Sequence, residues 1–260
     1  MLTLFTLYKE YVMKKIILGT IIGVNLFAQS SQDVAKKSFE AISGYGGSKT
    51  VSEMILRNAQ GVENRRKLKV LRKEGNDGDK SFIEFLYPND IKGTKLLSFE
   101  VVGGDDKQWL YLPALKRIKR ISSRNKSGSF VASEFSYEDI SSVNYKNYSY
   151  SGEAEVVTKN GKSYFKLVRK PVDKHSGYSK QMIWIDTKNY LIRFGEYYDK
   201  HGKLLKKVHF SKYKKIEGIW RIFEIDMQNV QNHKSSKLVW ESEKIHVPIK
   251  DSAVTKRALQ

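Results

Sequence analysis

The sequence contains no cysteine. That excludes disulfides, thiolate-ligated zinc, thiol catalysis and lipid attachment through an N-terminal Cys. The chain suits either a cytosolic setting or an oxidising compartment in which it folds without staples. Proline is scarce, at 4 residues in 260. Catalytic signatures are missing as well: there is no G-x-S-x-G elbow, no P-loop and no dinucleotide fingerprint. His175, His201, His209, His233 and His246 are scattered, mostly at turns or among lysines, without the H-x-x-x-H spacing of a zinc site. Neither a metal nor another cofactor is expected. Long apolar runs are also rare. The run Ile16 to Phe27, about twelve residues after Lys14 and Lys15, is too short for a comfortable membrane span. With Ala28 as the cleavage point, residues 1–28 read as a secretory signal peptide whose start is Met13; a retained anchor is the alternative. Leu26, at the −3 position, departs from the small residue preferred there. The exported chain is then expected to begin near Gln29, as one domain over residues 29–260.

What is present is charge and aromatic bulk. The formal net charge is +19, with 47 Lys and Arg against 28 Asp and Glu. A charge of this size implies anionic partners. An exported protein seldom meets nucleic acid, so anionic phospholipid head groups are the expected counter-surface. Tyr (15) and Phe (12) are plentiful. Ser31 to Ser43 reads as a helix, with Val34, Phe39 and Ile42 on one face and Gly44 as its stop. After Gly46 and Gly47 the pattern is almost continuously β, with about thirteen candidate strands separated by short Gly-containing turns. Asn160-Gly161 between alternating runs is the strongest hairpin signal among them. Short turns imply an antiparallel meander that curves into one large sheet or open barrel.

Lysines in runs such as KLLKKVHFSKYKK (Lys203 to Lys215) read as a solvated outer face. The bulky residues Phe82, Phe99, Trp109, Tyr111, Trp184 and Trp220 read as inward-facing. They either fill a core or line a hollow between sheet and helix. Glu134, Glu138 and Asp139 form the best carboxylate group. They motivate an enzyme acting on envelope glycans or lipids as one alternative, although spacing alone is weak support for paired-carboxylate chemistry.

Three segments in order carry more information: YPNDIKGTKLLSFE (Tyr87 to Glu100), DKQWLYLPALKRIKRIS (Asp106 to Ser122) and SFVASEFSYEDI (Ser129 to Ile140). Their succession resembles the LolA-like outer membrane lipoprotein-sorting protein family. That family carries a Pro–Asp–Lys-Gly loop, a tryptophan strand with Leu-Pro-Ala, a basic Arg-x-x-Arg strand and a Ser-Phe…Phe-Ser-Tyr-Glu-Asp segment. The end AVTKRALQ is similar to the family's terminal Phe-Thr-x-Arg-x-Leu, with Val254 where Phe is expected.

The resemblance implies an unclosed antiparallel β-barrel of about eleven strands, with helices as a lid over an apolar cavity. It implies a non-enzymatic periplasmic carrier of lipoprotein or lipid acyl chains, linked to an inner-membrane exporter of the resistance-nodulation-division type. A lipid or lipoprotein sensor of the same fold is the alternative. An acyl chain gains about 0.8 kcal/mol per buried CH₂, so a dry hollow suffices without catalysis. The expected cavity residues are Phe82, Leu97, Phe99, Trp109, Tyr111, Phe130, Phe135, Tyr137, Trp184 and Trp220. Lys116, Arg117, Lys119 and Arg120 are expected at the rim, facing anionic head groups. Glu138 and Asp139 are expected to pair with that basic strand, while Phe130, Phe135 and Tyr137 pack back as a lid.

Overall fold

A computed structural model describes residues 29–141 and 144–260. The expected signal segment, residues 1–28, lies outside the described residues.

The chain enters through α1 (Ser31–Glu40). Ser30 caps it, its hydroxyl accepting from Asp33 N–H at 3.0 Å. Val34 and Ala35 are buried beneath. The strands follow: β1 (Gly47–Arg57), β2 (Glu63–Lys73), β3 (Lys80–Tyr87), β4 (Lys95–Phe99), β5 (Lys107–Leu112) and β6 (Arg117–Ile121). After a segment with little regular structure come α2 (Tyr137–Ile140), β7 (Tyr148–Tyr150), β8 (Glu155–Lys159), β9 (Lys162–Pro171), β10 (Tyr178–Asp186), β11 (Ile192–Asp199) and β12 (Leu204–Ser211). The last are β13 (Lys214–Ile216), β14 (Ile219–Arg221), β15 (Glu224–Asn229) and β16 (Ser235–Lys244).

One antiparallel sheet takes 14 strands in the order β6-β5-β4-β3-β2-β1-β16-β15-β12-β11-β10-β9-β7, with β8 also on β9. The two ends of that path do not pair, so the barrel is unclosed. The fold is the expected half-open one. Its sheet is longer than about eleven strands, because even the three-residue β7 joins it. Asn160 and Gly161 both adopt positive φ (52° and 71°) and join β8 to β9 as a tight hairpin. The segment after Glu217-Gly218 does not form one strand: β14 pairs with β13 in a separate two-stranded ribbon, and β15 joins the main sheet. Left-handed residues at Lys212 and Glu217 (φ 51° and 47°) turn the chain into and through that ribbon.

Two apolar layers lie on opposite faces of the β1–β6 half. The larger, on the concave face, contains Met54, Leu68, Ile83, Phe85, Leu96 and Leu110. The smaller, on the convex face, joins Phe82, Leu97 and Trp109 to Ile249, Val254 and Leu259 of the C-terminal segment. Both faces of β4 are therefore dry: Leu96 and Leu97 are each 0% exposed. A strand covered on both sides reads as a continuous apolar run, which is why the sequence around Leu96–Leu97 lacks clean alternation.

Candidate functional site

The concave face holds a cavity of about 320 Å³. Its floor is the sheet, including Val70, Ile183, Ile185, Val208, Ile225 and Met227. Phe39 and Ile42, on and just beyond α1, form one wall. The other wall is a plug, residues 122–141, which leaves β6 and folds back over the sheet. Trp220, on the β13–β14 ribbon, also lines the cavity. The ribbon is tied there by Trp220 N–H to Ala41 O (3.2 Å) and by Arg221 Nη1 to Ile42 O (2.9 Å). Arg221 also pairs with buried Glu243 at 2.7 Å and stacks on Tyr45. Burial pushes the Tyr45 hydroxyl up to about 12.

The plug is held by both apolar and polar contacts. Phe130, fully buried, meets Phe85 at 5.6 Å and Tyr137 at 5.7 Å between ring centroids. At its tip Val131 and Ala132 occupy the left-handed region (φ 47° and 59°), and Arg66 donates to Val131 O. Non-glycine residues held there store strain. The Ser136-x-x-Asp139 spacing makes a capping box for α2. Gln108 Nε2 donates to Tyr137 O at 3.0 Å. Lys126, itself buried, pairs with Asp173 at 3.0 Å and with Asp105.

Two of the plug's acids, Glu134 and Asp139, dock on a row of polar residues that crosses the concave face. Tyr150, Arg169, Gln181, Tyr197, Lys206 and Asn229 are successive cross-strand neighbours from β7 to β15. Lys206 pairs with Asp139 at 2.8 Å and lies 2.6 Å from the Tyr178 hydroxyl, which donates to Asp139 at 2.9 Å. Asn229 Nδ2 donates to Glu134 at 2.8 Å. Glu138 accepts from Ser176 Oγ (2.7 Å) and Gly177 N–H (2.8 Å). Burial, followed by the charge of Asp139, pushes Glu138 up to about 7.

The expected site residues divide. Phe135 and Trp220 line the cavity, as do Glu138 and Asp139. Phe130 and Tyr137 lie in the plug, packed into the concave core. Five placements need correction: Phe82, Leu97, Phe99, Trp109 and Tyr111 belong to the convex layer under the C-terminal segment. Strand alternation separates two faces without saying which one faces the hollow. Trp184 alternates with Ile183 and Ile185, which point inward, so it faces out beside Lys166 and Phe194. Lys116, Arg117, Lys119 and Arg120 are exposed at and beside the edge strand β6. Their expected pairing with Glu138 and Asp139 is also corrected, because those acids bind Ser176, Gly177 and Lys206 instead.

Arg169 and Lys206 were not singled out from the sequence. A signal existed for both. Arg169 is in phase with Phe165 and Leu167, and Lys206 with Val208, so each polar residue continues a buried alternation. Lys206 is thus an exception to the solvated lysine face, at 6% exposed.

The fold is thus an unclosed antiparallel β-barrel with a plug over a cavity on its concave face. A family model described as "Uncharacterized protein" matches residues 77–260. A structure described as an outer membrane lipoprotein-sorting protein domain, from Vibrio parahaemolyticus, is 39% identical, with a TM-score of 0.84. That match covers 88% of this chain and 97% of the other. A DUF1329 family protein from Desulfovibrio piger is 29% identical over 88% of this chain and 97% of its own, with a TM-score of 0.82. A LolA superfamily protein from Nitrosomonas europaea shares the fold at 20% identity and a TM-score of 0.73, over 89% of this chain and all of its own. No curated protein matches the chain. The chain belongs to the LolA-like outer membrane lipoprotein-sorting protein family.

Proposed function

We propose that the protein is a periplasmic carrier that takes up acyl chains of lipoproteins or lipids in the concave cavity. The observation that carries this reading is the cavity itself: an apolar floor on an unclosed sheet, walled by α1 and a separately anchored plug. A small closed barrel fills with its own side chains, whereas an open one leaves a hollow that the plug can uncover. The likeness to a lipoprotein-sorting domain supports the same reading. Glu134, Glu138 and Asp139 act as docking groups for the plug in this account, which favours carriage over catalysis.

The exposed cations of β6 meet an anionic membrane surface during loading or delivery, and an exporter of the resistance-nodulation-division type is the partner that the resemblance implies. The test is native mass spectrometry of the protein purified from its own envelope, followed by titration of the delipidated protein with a fluorescent acyl probe. Co-purifying lipid or acylated peptide, with stoichiometric probe binding that Ile185→Glu abolishes in a folded protein, is the expected result. An empty protein that ignores the probe overturns the proposal.

A further inference from the structure

Arg169 lies inside the cavity wall at 5% exposed. It sits on β9 between Tyr150 of β7 and Gln181 of β10. Its Nε donates to Gln181 Oε1 at 2.8 Å, and its guanidinium stacks on the Tyr148 ring at 4.0 Å. Tyr148, Tyr197 and Tyr150 surround it, and among the described residues it forms no ion pair with a carboxylate. The Tyr150 hydroxyl is buried within the guanidinium's field yet makes no well-formed hydrogen bond.

The carboxylates of the same wall are otherwise engaged. Asp139 is held by Lys206, Asp173 by Lys126, Glu243 by Arg221, and Glu138 by Ser176 and Gly177. Arginine keeps its charge in any such setting. A buried cation without a counter-charge is costly, and a guanidinium matches a carboxylate or phosphate through two parallel hydrogen bonds.

We infer that Arg169 is the seat of an anionic head group, so that the cavity's ligand is an amphiphile bearing a carboxylate or phosphate that enters with its chain on the apolar floor. The inference rests on the carrier reading and deepens it by naming the ligand class. The chain lies along Ile183, Ile185 and Val208. The head group bonds the guanidinium and the Tyr150 hydroxyl. A neutral ligand of the same length leaves the guanidinium unmatched and binds less tightly.

The test uses the delipidated full chain at about pH 8, where both anionic heads are ionised. Displacement of a neutral fluorescent acyl probe is measured with hexadecanoate, hexadecyl phosphate and hexadecanol, and inorganic phosphate is titrated separately. The two anionic amphiphiles are expected to bind at least about tenfold tighter than hexadecanol. Arg169→Met should bring that ratio to about one while leaving hexadecanol within about twofold, and Arg169→Lys should keep part of the preference. Equal binding of charged and neutral amphiphiles by the native chain overturns the inference and leaves the carrier reading standing. That comparison needs no variant to fold. A preference that survives in Arg169→Met also overturns it. Inorganic phosphate binding as tightly as hexadecyl phosphate would make Arg169 a site for small anions and end the amphiphile proposal. Binding of no amphiphile at all defeats the carrier reading itself.

Discussion

At Glu138 the plug ties the stability of the fold to pH. Burial favours its neutral form, and so does that of Glu100, also pushed up to about 7 from an ordinary 4.5. Between those two values the folded chain binds more protons than the unfolded one. The contribution of these two groups to stability therefore rises as pH falls through about 7 and levels off near 4.5. Glu138→Gln carries the neutral form at every pH. It is expected to be more stable than the native chain at about pH 8, by on the order of 1–3 kcal/mol, with the gap closing at about pH 5. Urea denaturation across that range measures it, and a gap independent of pH would show that Glu138 stays charged in the fold. Lys206 and Asp139 are a different case. Both are almost wholly buried and paired at 2.8 Å, so each neutralises a charge that the other would otherwise strand.

The C-terminal segment covers the face of the sheet that carries five of the expected cavity residues. Ile249, Val254 and Leu259 cover the convex side of β3, β4 and β5, and Lys256 lies 4.5 Å from the Trp109 ring centroid. Lys73 holds Asp251 at 2.8 Å, and Lys95 donates to Ala258 O at 3.3 Å. Val254, standing where the family pattern has Phe, is still 1% exposed. Trp109→Ala should therefore cost about 3–5 kcal/mol and loosen this strap, seen as earlier cleavage near the C-terminus in limited proteolysis. The folded fraction should bind an acyl probe as the native chain does, because Trp109 lies on the opposite face of the sheet from the cavity. Selective loss of probe binding without strap release would place Trp109 at the ligand after all.

At the scale of the whole molecule, one edge at which the sheet stops is positively charged. Arg117, Lys119 and Arg120 are exposed on β6, an edge strand, on a chain of formal net charge +19. The register puts Arg117 and Lys119 on the Leu110–Leu112 side and Arg120 on the Trp109 side, so neither face of that edge is neutral. Charged edges also discourage strand addition by another chain. Each cation near an anionic surface is worth about 1 kcal/mol, within a screening length of about 10 Å at 0.1 M salt. Replacing all three with Gln is expected to weaken flotation with anionic vesicles by at least about tenfold at low salt, with the difference shrinking as salt rises. Unchanged flotation would reduce the edge to ordinary solvated surface. No helix among the described residues is long and apolar enough to cross a membrane.

Local chemistry determined a good deal by itself. The Asn160-Gly161 hairpin, the meandering strands and the Ser136–Asp139 segment follow from turn geometry, two-residue alternation and a short capping motif, each a relation between near neighbours. What those relations cannot contain is which face of a strand the rest of the chain will cover. Trp109 and Leu110 are equally apolar, and only the C-terminal strap on one side and the plug on the other assign one to each layer. The same holds for the polar row. Arg169, Gln181, Tyr197 and Lys206 lie on four strands and become neighbours through sheet register. The tertiary structure alone decided that a cation at residue 169 would be enclosed among tyrosines without an ion pair, because desolvation depends on everything packed around a group rather than on the residues beside it in the chain.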